Sequence, residues 1–241
     1  MKDGRAPVTT VFLDAGLTLL RARPSLGGVY TQVARAHGRE IHPSEFDRAA
    51  DAAFHAQAAE HRDAGEAGMR TSEDLERVSW HRHARRVMDG VPAMAGMDFE
   101  PWFEDLYRDF GSAAVWAPFE DAVPALEALR ARGIRLAVVS NWDRRLHQIL
   151  EDGGLRPWFE AVIVSSEIGW RKPHPEIFRR ALAAMDVGPG QALHVGDSLG
   201  DDVEGARAVG IRAALLDRPG GRTADGVPVL RSLLGISDLV R

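Results

Sequence analysis

Short apolar runs recur along the chain and predict five buried strands. They are rich in Val, Ile and Leu and do not alternate with polar residues, as expected of parallel strands covered on both faces. The runs are Val8–Leu13, Ile134–Ser140, Ala161–Val164, Ala192–Val195 and Ile211–Leu216. Amphipathic helical patterns separate the last four runs. This alternation predicts an α/β fold, with a doubly wound, Rossmann-like parallel sheet.

The connection between the first two runs is far longer than the others. Four stretches with apolar residues at helical spacing predict helices in it: Val29–His37, Ser44–Glu60, Ser72–Met88 and Asp98–Phe110. We find no convincing strand between Leu13 and Asp121. A connection of this length indicates an inserted domain. We therefore expect a core of residues 1–20 and 114–241 and an all-helical insert of residues 21–113.

The order of the strands determines which residues meet. A chain that starts in mid-sheet, winds outward through its second and third strands and then returns has the order 3-2-1-4-5. Ligands of such sheets bind beyond the carboxyl ends of the strands, where the winding reverses. The residues just after the first and fourth strands, Asp14 and Asp197, would then lie side by side.

Composition narrows the classes of function. The chain has 241 residues, 45% hydrophobic and 27% charged, as in ordinary globular proteins. Its net charge of −5 disfavours a nucleic-acid partner. It has no cysteine, which excludes thiol nucleophiles, disulfides and Cys-ligated zinc. No apolar run is long enough to span a bilayer, and Met1–Thr10 lack the apolar stretch of a signal peptide, so we expect a cytoplasmic protein without a membrane partner.

Chemically useful side chains follow four successive predicted strands. In chain order they are Asp14, then Ser140 with Asn141, then Lys172, and finally Asp197, Asp201 and Asp202. Carboxylates at strand ends serve as nucleophiles or hard-metal ligands, and hydroxyl and amide groups bind oxyanions. Oxygen ligands alone indicate Mg²⁺ rather than zinc. The alternative for each residue is a structural role, and we expect Asp201 or Asp202 to cap the next helix.

Lysine is rare in this chain. It occurs only at Lys2 and Lys172 among 30 basic residues. Chance retention on a surface would explain Lys172, and so would a site that needs a compact ammonium group, which a planar guanidinium cannot replace. Composition alone does not decide between these explanations.

The order of these four groups resembles the haloacid dehalogenase superfamily, in the subgroup with a helical cap inserted after the first motif. The resemblance covers essentially the whole chain. It implies that Asp14 is the nucleophile and Lys172, in a Lys-Pro-x-Pro setting, the conserved lysine. It implies substrate contacts from Thr18 and Ser140, with Asn141 beside the latter. It also implies Mg²⁺ held by Asp14, Asp197 and the backbone carbonyl of Gly16, with Asp201 or Asp202 as a further acid.

The sequence departs from the family pattern at one position. Phosphatases of the superfamily carry a second Asp two residues after the nucleophile, which protonates the leaving group, and Gly16 stands there. Three interpretations stay open. The favoured one is a Mg²⁺-dependent phosphatase acting on a small phosphorylated metabolite through an aspartyl-phosphate, in which Arg21 is a further candidate for binding an anionic substrate. The others are a non-catalytic or regulatory module, and a dehalogenase that needs no leaving-group acid.

Overall fold

A six-stranded parallel sheet forms the centre of the protein. The computed structural model describes residues 6–240. Its strands, in chain order, are β1 (Thr10–Leu13), β2 (Leu20–Ala22), β3 (Trp116–Pro118), β4 (Arg135–Ser140), β5 (Ala161–Val164), β6 (Ala192–Gly196), β7 (Arg212–Leu216) and β8 (Val229–Leu230). The sheet order is β5-β4-β1-β6-β7-β8. The predicted order 3-2-1-4-5 is therefore confirmed, and β8 adds a short sixth strand beyond β7.

Ten α-helices accompany the strands in residues 6–240. Four lie between β2 and β3: α1 (Leu26–Ala36), α2 (Pro43–Asp63), α3 (Glu73–Asp89) and α4 (Phe99–Asp109). The others are α5 (Ala122–Arg130), α6 (Arg145–Asp152), α7 (Ser165–Ile168), α8 (Pro175–Ala184), α9 (Gly205–Ala208) and α10 (Ile236–Leu239). Ser72, expected inside α3, is its N-cap, and its hydroxyl accepts a hydrogen bond from Leu75 N. Within residues 6–240, no helix is both long and apolar enough to cross a membrane.

Two short strands correct the sequence-based prediction for the long connection. β2 and β3 pair antiparallel, with Arg21 opposite Ala117, in a stretch where we expected no strand. Each is three residues long, and Pro118 ends one of them. Three residues are too few to show a periodicity, and proline argues against a strand. We call residues 23–115, which connect these two strands, the helical segment.

The apolar side chains form three clusters. Alternate residues of β1 enter different clusters, with Val11 and Leu13 on one face of the sheet and Phe12 on the other. This alternation is what a strand covered on both faces requires. The helical segment has a cluster of its own, in which Tyr30 and Trp102 are fully buried.

Candidate active site

The carboxyl ends of the central strands bring the predicted site residues together. Asp14 follows β1, and its backbone N–H donates to Val195 O on β6 at 3.0 Å. Ser140 ends β4, and its hydroxyl donates to Asp14 Oδ1 at 2.9 Å. Because β1 lies between β4 and β6 in a parallel sheet, residues distant in the chain converge at one edge.

Lys172 lies at the centre of this group. Its ammonium Nζ is 2.6 Å from Asp14 Oδ1 and 2.6 Å from Asp202 Oδ1, and the side chain is 3% exposed. Burial alone would lower the pKa of Lys172, but the two carboxylates outweigh it and hold this pKa above its usual value. The lysine is therefore a fixed, buried positive charge between two acids.

Asn141 holds the loop that carries this lysine. Its amide oxygen accepts from Lys172 N at 2.6 Å, and its amide nitrogen donates to Lys172 O at 3.0 Å. The same nitrogen lies 3.5 Å from Asp201 Oδ2. The side-chain oxygen and nitrogen of Asn141 thus both position Lys172. The sequence predicted a substrate contact for Asn141.

Three carboxylates surround a space suited to a cation. Oxygen atoms of Asp14, Asp197 and Asp202 all lie within 4.8 Å of one another. Burial, and then the charges of Asp14 and Asp202, raise the pKa of Asp197 to about 8. Burial also raises the pKa of Asp14, against the opposing effect of Lys172. Crowded carboxylates of this kind are stabilised by a hard cation, and an all-oxygen donor set fits Mg²⁺.

The structure distinguishes the two adjacent acids that the sequence could not. Asp202 is fully buried and belongs to the carboxylate group, whereas Asp201 does not. Burial opposes ionisation of Asp202, but Lys172 and His194 overcome it and hold its pKa below the usual range. Burial, with the charge of Asp202, raises the pKa of Asp201 to about 6.

The predicted cap by Asp201 or Asp202 is wrong. Ser198 caps the π-helical turn Leu199–Glu204, and its hydroxyl accepts from Asp201 N at 3.2 Å. Asp202 Oδ2 in turn accepts from Ser198 N at 2.9 Å. Serine is a good N-cap because its short hydroxyl reaches the free N–H groups of the first turn.

Three further residues take part in this arrangement. His194 Nε2 lies 2.9 Å from Asp202 Oδ1, and Arg222 donates to Asp197 O at 2.8 Å. A Cβ at Gly196 would lie 2.2 Å from the Asp202 carboxylate, so only glycine fits there. His194 falls inside an apolar run and Arg222 in a loop, and neither position carries a sequence signal of function. The glycine directly before Asp197 is also a position that the sequence analysis did not single out.

The loop after Asp14 holds the remaining predicted residues. Leu17 has a φ of +57° and is 60% exposed. Thr18 is fully buried, and within residues 6–240 its hydroxyl has no hydrogen-bond partner. Arg21 lies on β2, outside the group around Lys172. A Cβ at Gly16 would lie 3.3 Å from the ring of Trp142, so the place of the missing acid borders an aromatic ring.

Known proteins resemble this chain over most of its length. The sequence model of the haloacid dehalogenase-like hydrolase family matches residues 8–210. The haloacid dehalogenase-like hydrolase domain-containing protein 3 of Bos taurus is 38% identical over 234 residues, covering 94% of this chain and 90% of that protein. A phosphoserine phosphatase of Thermus thermophilus is 33% identical over 155 residues, covering 58% of this chain and 62% of that protein.

A solved structure shows the same fold. The HAD-hydrolase YfnB of Bacillus subtilis, in a magnesium-bound crystal structure, superposes with a TM-score of 0.74 at 17% identity, covering 98% of this chain and all of that one. With the family match over residues 8–210 and the bovine relative, this agreement identifies the family. The chain belongs to the haloacid dehalogenase-like hydrolases.

Proposed function

We propose that this hydrolase is a Mg²⁺-dependent phosphatase that acts on a small phosphorylated metabolite through an aspartyl-phosphate on Asp14. The observation that carries the proposal is the position of Lys172, 2.6 Å from both Asp14 and Asp202. A buried ammonium beside a carboxylate nucleophile neutralises charge that an incoming phosphate would otherwise meet. The match to a phosphoserine phosphatase supports phosphate-ester substrates.

The residues present fit a bound Mg²⁺. Asp14, Asp197 and Asp202 would hold it through carboxylate oxygens, and the backbone carbonyl of Gly16 would add a ligand. Bound there, Mg²⁺ would neutralise negative charge on the phosphate oxygens. The resemblance implied a further acid at Asp201 or Asp202. We assign it to Asp202 and leave Asp201 outside the ligand set, because Asp201 does not belong to the convergent carboxylates.

The protein groups have distinct roles in the proposed reaction. The hydrogen bonds from Ser140 and Lys172 both end on Asp14 Oδ1, which leaves Oδ2 available to attack phosphorus. A bond then forms between Asp14 and phosphorus while the bond from phosphorus to the leaving oxygen breaks. Lys172 uses two N–H groups on Asp14 and Asp202 and has a third to donate to a phosphoryl oxygen. The single Ser140 hydroxyl hydrogen would turn from Asp14 Oδ1 to the phosphoryl group when substrate binds. Water then attacks phosphorus, releasing inorganic phosphate and restoring the Asp14 carboxylate.

Gly16 restricts which substrates this site can use. It supplies no side chain to protonate the departing oxygen, a contribution typically worth about 10²–10⁴-fold in rate. Phosphates whose leaving group departs as a stable anion do not need that proton. We therefore propose a preference for good leaving groups, and slow turnover of simple alkyl phosphates. The helical segment would act as the cap over this site.

The test is a hydrolysis assay on p-nitrophenyl phosphate and a panel of phosphorylated metabolites. We expect turnover that requires Mg²⁺ and disappears in Asp14→Asn. Turnover that persists in Asp14→Asn or in EDTA would contradict the proposal.

A non-catalytic role is the second candidate, and Gly16 favours it. The missing acid and the adjacent Trp142 ring are what a site without turnover would tolerate. Binding of Mg²⁺ without hydrolysis of any panel member would support this role. A halide-release assay would then test the dehalogenase interpretation, which the three convergent carboxylates disfavour.

A further inference from the structure

A second cavity lies where the helical segment meets the loop before Lys172. Its volume is about 380 Å³. Backbone hydrogen bonds join the two sides, from Thr71 N to Gly169 O at 3.2 Å and from Arg171 N to Met69 O at 2.9 Å. We call it the arginine cavity, because its lining includes Arg70, Arg82, Arg86 and Arg171. None of Asp14, Ser140, Lys172, Asp197 and Asp202 lines it.

The arginine cavity carries more positive than negative charge. Arg86 pairs with Glu60, and an Arg171 Nη atom lies 3.7 Å from a Glu76 carboxylate oxygen. Within residues 6–240, neither Arg70 nor Arg82 has a carboxylate within 4.0 Å. Guanidinium groups gathered without enough carboxylates repel one another, and an anion would relieve that repulsion.

The side chains that hold Arg171 are already in place. Its Nη1 lies 2.7 Å from His61 Nδ1. Burial, and then the charges of Arg171 and Arg82, lower the pKa of His61 to about 4, so the imidazole is neutral at pH 7. Glu76 is buried and accepts a hydrogen bond from the Thr71 hydroxyl. Contacts among its own side chains therefore hold Arg171 in the wall of the cavity.

An aromatic ring contacts Arg70, one of the arginines that line the cavity. The guanidinium of Arg70 lies 3.9 Å from the centre of the Trp170 ring. Stacking fixes the plane of the guanidinium but neutralises none of its charge. Planar guanidinium groups bind phosphate and carboxylate oxygens in pairs of hydrogen bonds, more specifically than an ammonium does.

We propose that the arginine cavity binds a small oxyanion with more than one negative charge, a phosphate or a polycarboxylate. This site is separate from the acidic cluster, the name we give to Asp14, Asp197 and Asp202 with Lys172. An anion held by Arg171 and Arg82 would link the loop before Lys172 to α3. Because Arg171 directly precedes Lys172, such a ligand would also fix the loop that carries the buried lysine. The proposal is independent of the chemistry at Asp14.

Calorimetric titration tests the proposal on the full chain freed of divalent cations by a chelating resin, because EDTA is itself a polycarboxylate and would compete for the cavity. Without a divalent cation, the acidic side chains of Asp14, Asp197 and Asp202 disfavour anions, so binding at the candidate active site does not interfere. The probes are inorganic phosphate, pyrophosphate and citrate. We expect one equivalent of at least one probe to bind, and its affinity to fall at least tenfold in Arg82→Gln and in Arg171→Gln.

Arg85→Gln is the matched control. Arg85 is on the same helix as Arg82 but does not line the cavity, and its guanidinium stacks on Phe99 at 3.5 Å. Its replacement should leave the affinity unchanged. Arg82 is exposed and without an ion pair in the described chain, so Arg82→Gln keeps the test valid even if Arg171→Gln fails to fold.

Two results would overturn the proposal. One is that no probe binds to the unmodified chain. The other is binding that Arg82→Gln and Arg85→Gln weaken equally, which would indicate a general effect of surface charge. A preference for pyrophosphate over citrate would identify the ligand as a phosphate compound, and the reverse would identify a carboxylate.

Discussion

The acidic cluster and the arginine cavity are two charged sites that lie on either side of one loop. In the cluster, the central cation is buried and contacts two carboxylates at 2.6 Å. In the cavity, positive charges predominate, and Arg82 is exposed and unpaired within the described residues. The first site is organised by hydrogen bonds of its own side chains, whereas the second retains unsatisfied charge. The side chains of the acidic cluster are thus held by one another, whereas the guanidinium groups of the arginine cavity have positive charge left for a ligand.

Replacing Lys172 with methionine should have the largest effect, because it removes the buried ammonium that pairs with both Asp14 and Asp202. Breaking a buried ion pair typically costs about 3–5 kcal/mol of stability. We expect such a loss in EDTA, measured by chemical denaturation, and a partial recovery with Mg²⁺. Turnover should fall by about 10²–10³-fold or more, since a key charge donor to the phosphoryl group is gone.

Arg145→Met is the control for this experiment. Arg145 pairs with the buried carboxylate of Asp143, outside the acidic cluster. Its loss should also destabilise the protein, but the acidic cluster stays intact, so Mg²⁺ should stabilise Arg145→Met only as much as it stabilises the unmodified chain. If Mg²⁺ stabilised both variants equally, the cation site would not be centred on the Lys172 partners.

The adjacent acids Asp201 and Asp202 provide a sharper comparison. Asp202→Asn removes a charge from the convergent carboxylates and should weaken Mg²⁺ binding and turnover by about tenfold to a hundredfold. Asp201→Asn, outside that group, should change both by less than about threefold. Titration of Mg²⁺ in the activity assay measures both effects. A larger loss in Asp201→Asn would reverse the assignment of ligands.

The functional residues at the carboxyl ends of the strands could be predicted from sequence, because local patterns indicate where each strand ends. An apolar run predicts a strand, and a parallel sheet brings the next residue of each strand to the same edge. Asp14 and Asp197 directly follow β1 and β6, and Ser140 is the last residue of β4. Lys172 lies further from its strand, beyond α7, and Asn141 holds it at the same edge. Asp201 and Asp202 do not follow that rule, because they lie in the turn after β6, where one residue of difference turns a side chain towards Lys172 or away from it.

The arginine cavity shows what the sequence could not indicate. Arg171 and His61 are 110 residues apart, and neither belongs to a motif that predicts their contact. The antiparallel pair of β2 and β3 could not be predicted either, because three residues are too few to show the alternation of a strand. His194 lies in an apolar run, and only the fold reveals that it faces Asp202.

Restoring the missing acid tests whether its absence limits turnover. Gly16→Asp should raise turnover of an alkyl phosphate such as glycerol 2-phosphate by about tenfold to a hundredfold, part of the usual range for a general acid. p-Nitrophenyl phosphate should gain less, because nitrophenolate leaves without a proton. Both rates are measured at saturating Mg²⁺.

Gly16→Asn is the matched control for the new acid. It places a side chain of the same size beside Trp142, whose ring lies 3.3 Å from the new Cβ, but it cannot transfer a proton. Equal changes in the Asp and Asn variants would mean that packing against Trp142, and not proton transfer, determines the rate. An Asp variant with an intact fold and no gain on either substrate would count against phosphoryl chemistry at Asp14.

The smallest predicted effect concerns the contact between the helical segment and the core. The Glu73 carboxylate, at the start of α3, accepts hydrogen bonds from the Ser166 hydroxyl and from Arg144 N, the latter at 3.1 Å. It also pairs with the Arg144 side chain, which is 71% exposed. Exposed pairs contribute about 0–1 kcal/mol, so Glu73→Gln should raise KM about twofold to fivefold with little change in kcat.

We expect Glu73→Gln to change KM and not kcat because of where Glu73 lies. It contacts no member of the acidic cluster, so its loss should weaken closure over the substrate and leave the chemical step intact. Glu104→Gln is the control, because Glu104 pairs with Arg77 inside the helical segment and should leave both constants unchanged. A fall in kcat at constant KM would instead show that this contact positions Lys172. The contact at Glu73 would then couple the helical segment to the chemical step at the acidic cluster.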